Sequence, residues 1–168
     1  EGWFLPQLQK AGYEGQFEKK RREAIFHRGR YTQEGCATFW KTARFRKFKN
    51  RHVIDYDALS KHDLMCKASH QDTEKTLQRA SKGNIALVLI LEDLLIKASH
   101  AGEAQGENGG RLLGVVNTHI LADMGSPDVK LWQVHLAMKS LESMRDMKGA
   151  PLLFCGGFNS TPDSAVYE

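Results

Sequence analysis

The chain has 168 residues, of which 41% are hydrophobic and 26% are charged, and this composition excludes an intrinsically disordered protein. Its 24 Lys and Arg residues and its 20 Asp and Glu residues give a net charge of +4 at pH 7. The longest uninterrupted apolar run, residues 85–91, is far shorter than the roughly 18 residues of a membrane-spanning helix, so we expect no membrane-embedded segment and no membrane partner.

Positive charge is concentrated in the first third of the chain. Residues 1–51 contain 13 Lys and Arg against 5 Asp and Glu, a net charge of +8, while residues 52–168 contain 11 against 15, a net charge of −4. Aromatic residues alternate with these basic residues, a pattern typical of surfaces that bind nucleic acid. A solvated basic loop, anchored to the core by its aromatic side chains, would give the same pattern, and both interpretations stay open.

Short elements separated by polar loops are predicted for the first half of the chain. They are, in chain order, a helix over residues 3–11, a strand over 13–18, a basic loop to about residue 33, strands over 35–41 and 51–56, and at most one short helix within the polar residues 60–82.

The second half of the chain is more strongly patterned. Its predicted elements are a central strand over 85–91, a flexible Gly-rich surface loop over 97–110, a buried strand over 112–121, a helix from Ser126 to about Met147 with the Ser126 hydroxyl as its cap, and a buried strand over 151–155. Apolar strands with a helix between the last two predict an α/β layered fold.

Polar side chains interrupt or follow the last two of these strands. Asn117 and His119 are two residues apart, so they project from the same face of one strand, and Asn159 follows the end of the next. An imidazole can bind or protonate a phosphoryl oxygen, and a carboxamide can stabilise a developing negative charge, so these residues point to phosphodiester chemistry. The alternatives are that Asn117 and His119 are buried polar groups bonded to a neighbouring loop and that Asn159 is a turn residue.

The three cysteines, Cys36, Cys66 and Cys155, are scattered and have no C-x-x-C spacing. This pattern argues against a disulfide scaffold or a zinc ribbon and favours a reducing compartment. We therefore expect an intracellular protein, with the cytoplasm as the first candidate location and the mitochondrion as the alternative.

Six sequence blocks, starting at Gly12, occur in the order in which a known family has them: G-Y-E-G-Q-F, E-G-C-A-T-F-W-K, N-I-A-L-V-L-I-L, N-T-H-I-L, D-V-K-L-W-Q and C-G-G-F-N-S-T-P-D-S. They resemble the endonuclease/exonuclease/phosphatase superfamily, and in particular its carbon catabolite repressor-type poly(A) deadenylases with their Angel and nocturnin relatives. The resemblance implies a two-sheet sandwich flanked by helices, like that of deoxyribonuclease I. Residues 1–168 would form a single partial domain that is incomplete at both ends.

The resemblance also implies an activity and a set of site residues. The activity is that of a magnesium-dependent 3′–5′ exoribonuclease that hydrolyses RNA phosphodiesters in a poly(A) tail, with a deadenylase scaffold protein as a possible partner. His119 would contact the scissile phosphate, Asn117 would orient the site and Asn159 would steady the phosphoryl group. Residues expected to bind substrate are Asp123, near the nucleotide, and the basic run Lys19, Lys20, Arg21 and Arg22.

One departure from the family motif bears directly on activity. Gly157 stands where the family has the aspartate of G-D-F-N, and a glycine can neither bind a metal nor activate water. We therefore expect no intact metal site and impaired hydrolysis. The alternatives are a non-catalytic descendant that binds RNA or protein, and a nocturnin-like nucleotide phosphatase.

Overall fold

The structure of the chain, a computed structural model, describes residues 4–22, 25–27, 29–65 and 70–167. Its helices are α1 (Phe4–Lys10), α2 (Tyr56–Met65), α3 (His70–Ala80) and α4 (Pro127–Ser143), with a short 3₁₀ helix over Arg145–Met147. Its strands are β1 (Tyr13–Lys19), β2 (Ile25–His27), β3 (Arg30–Thr32), β4 (Gly35–Lys41), β5 (Phe45–Lys47), β6 (His52–Asp55), β7 (Ile85–Lys97), β8 (Gly110–His119) and β9 (Leu152–Gly157). Within the described ranges, no helix is long and apolar enough to cross a membrane.

Five strands of the described chain form the central sheet. β7 pairs in antiparallel orientation with β8 on one side, and with β5 and β6 on the other. β9 pairs with β8 in parallel orientation, and α4 provides the crossover that a parallel pair requires. Residues 85–91 are each at most 4% exposed, because this part of the sheet is covered on both faces, as the continuous apolar run predicts.

A second sheet and a helix cover the two faces of the central sheet. On one face, the antiparallel pair β1–β4 contributes Cys36 and Trp40 to a core cluster that also contains Leu87, Leu89 and Val115. On the other face, α4 packs its apolar side chains against alternate residues of β7 and β8: Leu136, Ala137 and Leu141 against Val88, Ile90 and Val116. The predicted two-sheet α/β sandwich is confirmed.

The prediction of at most one short helix within residues 60–82 is wrong, because both α2 and α3 form there. The Asp55 carboxylate caps α2 by accepting the N–H groups of Asp57 and Ala58 at 3.1 and 3.0 Å. Polar contacts attach α2 to α4: Trp132 Nε1 donates to Ser60 Oγ at 2.9 Å, and Lys139 pairs with Asp63 at 2.8 Å. Such contacts leave no apolar periodicity in the sequence, so the pattern does not reveal the helix.

The two segments predicted as loops also contain strand residues. The basic segment to residue 33 contains the paired strands β2 and β3. β7 continues to Lys97, and the buried carboxylate of Glu92 accepts the N–H groups of Asn108 at 3.2 Å and Gly110 at 3.0 Å. These bonds attach the Gly-rich loop to the sheet, and β7 and β8 include the two ends of the predicted loop, Lys97 and Gly110.

The ends of α4 differ in detail from the prediction. The helix begins at Pro127 as expected, but the hydroxyl of Ser126 does not cap it and instead donates to Asp123 Oδ2 at 2.7 Å. The helix ends at Ser143, and the chain then passes through the 3₁₀ helix to Gly149. Ser126 therefore organises the β8–α4 loop rather than the first turn of the helix.

Candidate active site

The candidate site lies where β8 and β9 end. The two strands are parallel, so their carboxyl ends meet at the same edge of the sheet, where loops gather functional groups. His119 is the last residue of β8 and lies in register with Gly157, the last residue of β9. Asn117 precedes His119 on the same strand face, and Asn159 follows β9 by two residues.

The side chain of Asn117 joins the two sheets. Its Nδ2 donates to the carbonyl oxygen of Ala37 at 2.8 Å and lies 3.4 Å from Oγ1 of Thr38, both on β4. The amide is thus bound to a neighbouring strand, which agrees with the interpretation of Asn117 as a satisfied polar group. Asn117 holds β4 against β8 beside His119.

The imidazole of His119 lies between a cation and a glycine. Its Nδ1 is 3.4 Å from Nζ of Lys20, and a β-carbon added to Gly157 would lie 2.9 Å from its Cδ2. Burial lowers the pKa of His119, Lys20 lowers it further, and Glu34 acts in the opposite direction. The neutral ring is therefore favoured near pH 7.

The four basic residues that are predicted to bind substrate have different surroundings in the structure. Lys20 is only 4% exposed and pairs with Glu34 at 2.9 Å, and Arg22 binds the same carboxylate. Arg21 pairs with Glu18 at 2.8 Å and with Asp55 at 3.2 Å. Lys19 lies exposed on β1. Of the four, Lys20 is the residue that contacts His119.

Asn159 takes a strained backbone conformation next to a cleft. Its φ angle is +47°, its Nδ2 donates to the carbonyl of Ile120 at 3.0 Å, and its own carbonyl accepts from Nζ of Lys130 at 2.6 Å. It lines a cleft of about 410 Å³ together with Ala122, Met124, Pro127, Lys130, Ser160, Thr161, Ser164, Ala165 and Val166. Neither Asn117 nor His119 lines this cleft, so of the three predicted catalytic residues only Asn159 lies at it.

Asp123 lies in the loop between β8 and α4, flanked by two residues that line the cleft. Its carboxylate accepts the Ser126 hydroxyl at 2.7 Å and the Gly125 N–H at 3.0 Å. These two bonds hold the pKa of Asp123 below its usual value. Asp123 therefore remains an exposed anion that shapes the loop beside the cleft.

Similarity searches relate the chain to a well-defined group of proteins. It is 36% identical over 168 residues to the carbon catabolite repressor protein 4 homolog 1 of Arabidopsis thaliana, an alignment that covers 99% of this chain and 27% of that protein. It is 33% identical over 181 residues to the CCR4-Not complex 3′-5′-exoribonuclease subunit Ccr4 of Saccharomyces cerevisiae, covering 100% of this chain and 19% of that subunit. This chain is a relative of the carbon catabolite repressor 4 proteins. It spans about a quarter or less of their length, and no family model matches it.

Solved structures agree on the fold of this carbon catabolite repressor 4 relative. The human Nocturnin catalytic domain superposes with a TM-score of 0.66 at 23% identity, covering 98% of this chain and 49% of that domain. ANGEL2, a 2′,3′-cyclic phosphatase, superposes with a TM-score of 0.62 at 22% identity, covering 99% of this chain and 38% of that structure. The resemblance to carbon catabolite repressor-type proteins is confirmed, and the fold is shared with Nocturnin and ANGEL2.

The described residues of this carbon catabolite repressor 4 relative do not fit the magnesium ion that the resemblance implies. Magnesium prefers carboxylate and other hard oxygen ligands. Throughout the described ranges, no group of three or more His, Cys, Asp and Glu side chains could hold a metal ion. Gly157, expected at the position of the family aspartate, supplies no side chain, and the ring of His119 lies next to it.

Three polar residues that were not predicted bind the backbone around the site. Asn84 is 4% exposed and its Nδ2 donates to the carbonyl of His119 at 2.7 Å. Gln133, fully buried, donates to Asn84 at 3.4 Å and accepts the N–H of Leu121 at 2.9 Å. Lys130 binds the carbonyl of Asn159. All three are polar residues within the blocks N-I-A-L and D-V-K-L-W-Q, and this is the signal that could have identified them.

Proposed function

We propose that this chain is part of a 3′–5′ exoribonuclease that acts on RNA phosphodiesters, with poly(A) as its substrate, and that Gly157 impairs its hydrolysis. The observation that carries the proposal is the alignment of essentially the whole chain with subunits named as 3′-5′-exoribonucleases. Because those relatives are named as CCR4-Not subunits, we further propose an RNA partner, a scaffold protein of that type and a cytoplasmic location.

The geometry at the ends of β8 and β9 supports binding of a nucleotide phosphate. His119 is the last residue of β8, and Asn159 comes two residues after the end of β9. The two strand ends are joined by a hydrogen bond from the Ile120 N–H to the Gly157 carbonyl at 3.1 Å. The cleft beside Asn159 has a volume of about 410 Å³, which lies within the range of roughly 300–1,000 Å³ typical of small-molecule sites. Its hydroxyl groups can bond to a ribose or a base.

Gly157 explains why such a site would hydrolyse slowly. A positioned general base contributes roughly 10²- to 10⁴-fold to a hydrolytic rate, and glycine contributes none of this. We therefore expect an aspartate at position 157 to accelerate hydrolysis by at least about 100-fold. The backbone at Gly157 accepts a side chain without a positive φ angle, provided that the His119 ring rotates away.

The test compares three forms of the full-length protein: wild type, Gly157→Asp and Gly157→Asn. Each is incubated with an end-labelled RNA that carries a 3′ adenylate tract, in magnesium buffer, and shortening is followed on a gel. Gly157→Asp should shorten the tract at least about 100-fold faster than wild type. Gly157→Asn, which has the same shape without the carboxylate, should not. Equal rates for wild type and Gly157→Asp would contradict the proposed impairment.

Gly157 also favours a second candidate function, that of a non-catalytic protein that keeps the fold and binds RNA or protein. Such a descendant is expected to lack the family aspartate, as this chain does. In that case Gly157→Asp would leave the protein inactive, while the wild type would still retain the labelled RNA in a filter-binding measurement. The same preparations, offered a phosphorylated dinucleotide, would reveal a nocturnin-like phosphatase.

A further inference from the structure

Lys20 occupies an unusual position for a basic side chain next to a candidate phosphate site. It is only 4% exposed, although a lysine normally keeps its ammonium group in water. Its Nζ lies between two groups, Oε2 of Glu34 at 2.9 Å and Nδ1 of His119 at 3.4 Å. The ammonium therefore faces the imidazole rather than the cleft beside Asn159.

The chemistry of these two groups restricts the protonation state of His119. An ammonium group has three N–H donors and no acceptor. A favourable contact with Nδ1 therefore requires that Nδ1 carry a lone pair, which leaves the proton of the neutral ring on Nε2. Nζ of Lys20 also donates a hydrogen bond to Oε2 of Glu34 at 2.9 Å, which leaves it further N–H donors for the imidazole.

The Cδ2–Nε2 edge of the His119 ring faces Gly157 at the end of β9. The position that a β-carbon of Gly157 would take lies 2.9 Å from Cδ2 and 3.5 Å from Nε2 of His119. Gly157 is itself exposed, so no side chain covers this edge from β9. Nε2 thus lies on the edge of the ring that faces Gly157, opposite the Nδ1 atom that contacts Lys20.

We propose that Lys20 is a positioning residue that fixes His119 as a neutral imidazole with its proton on Nε2, so that His119 donates a hydrogen bond to an anionic oxygen of the substrate. The substrate named here rests on the proposed function, but the assignment of Lys20 does not. In this role His119 stabilises charge on a phosphoryl oxygen and does not accept a proton from water.

The titratable and charged groups around His119 are consistent with this role. Lys20 after β1, together with Arg22, disfavours a second positive charge on the ring, and Glu34 before β4 partly offsets them. Cys36 on β4 is uncharged, because burial raises the pKa of its thiol. From the loop before β7, the uncharged Asn84 bonds to the backbone of His119.

The test is an NMR titration of the imidazole nitrogens in the full-length protein, which requires neither substrate nor metal. The His119 signals are assigned by their loss in His119→Gln. Wild type should show Nε2 protonated and Nδ1 unprotonated at neutral pH, and should titrate below the ordinary value of 6.5. Lys20→Met should raise the titration midpoint of His119 by about one pH unit, because it removes a nearby like charge.

Two matched variants complete the test. Lys19→Met removes the neighbouring exposed lysine and should leave the titration of His119 unchanged, while Lys20→Arg keeps the charge and the donor and should keep the midpoint low. A Lys20→Met midpoint equal to that of wild type would overturn the proposal. If Lys20→Met fails to fold, a wild-type ring with its proton on Nδ1 at neutral pH would overturn it by itself. If the titrations come out as expected but Gly157→Asp does not cleave RNA, the result counts against the proposed function alone.

Discussion

The ring of His119 occupies the space that a side chain at position 157 would need, since a β-carbon on Gly157 would lie 2.9 Å from its Cδ2. The residue that departs from the family motif and the residue expected to contact the phosphate are thus in direct register on adjacent strands. A side chain at position 157 therefore requires the His119 ring to shift. The identity of residue 157 thus affects both the chemistry of that position and the placement of the imidazole.

The two glycines at the end of β9 should respond differently to a methyl group. Gly156 has a φ angle of +141°, and its added β-carbon would lie 1.8 Å from the Thr118 carbonyl oxygen, whereas Gly157 faces only a movable ring. We expect Gly156→Ala to lower the free energy of unfolding by about 3 kcal/mol or more, and Gly157→Ala by about 1 kcal/mol or less. Urea denaturation measures both, and equal losses would contradict the described strand end.

Asn117 should prove a structural residue of the site. Asn117→Ala removes the amide that bonds to the Ala37 carbonyl, so we expect a loss of about 1–2 kcal/mol in the free energy of unfolding. Thr38→Val, which affects only the weaker 3.4 Å contact, should cost less. Unchanged stability of Asn117→Ala, measured by chemical denaturation, would show that the bond to β4 does not form.

Glu92 should anchor the Gly-rich loop. Its fully buried carboxylate accepts from Arg46 at 2.6 Å and from two loop N–H groups, so Glu92→Gln should cost about 2–3 kcal/mol and speed hydrogen exchange at Asn108 and Gly110. Glu107→Gln, an exposed carboxylate in the same loop, is the matched control and should change stability by less than about 0.5 kcal/mol.

The contribution of Glu92 should also depend on pH in a defined direction. Burial alone would raise the pKa of Glu92, but the hydrogen bonds from Arg46, Gly110 and Asn108 outweigh burial and lower the pKa below 4.5. The stabilisation is therefore fully present above pH 4.5 and is lost as the pH falls through the lower folded-state value. A difference between wild type and Glu92→Gln that persists unchanged at still lower pH would contradict this account.

Lys130 should hold the strained turn at Asn159. Its Nζ is the donor to the Asn159 carbonyl at 2.6 Å, and the lysine is only 4% exposed. We expect Lys130→Met to lower the free energy of unfolding by about 1–3 kcal/mol, because it leaves that carbonyl without its charged partner. Lys148→Met, at an exposed lysine, serves as the control in the same thermal or urea measurement, and a loss as large as that of Lys130→Met would refute the assignment.

Strands β1, β4, β6, β7, β8 and β9 could be predicted, because each has a local signature. The alternation of side chains along β8 places Asn117 and His119 on one face, and the apolar run places β7 in the centre of the sheet. The contact between Lys20 and His119 has no such signature, since it depends on how β1 and β4 pack on the central sheet. At most one short helix could be predicted where α2 and α3 form, for the related reason that α2 is held by polar contacts from α4.

The most direct test of the account is the rate at which the full-length protein removes adenylates from an RNA 3′ end when residue 157 and residue 119 are changed together. We predict that Gly157→Asp raises this rate by at least about 100-fold and that adding His119→Gln to the same protein abolishes most of the gain, because both residues act at one strand edge. A Gly157→Asp protein that stays inactive, or one whose activity survives His119→Gln undiminished, would contradict the assignment of this edge as the reactive site.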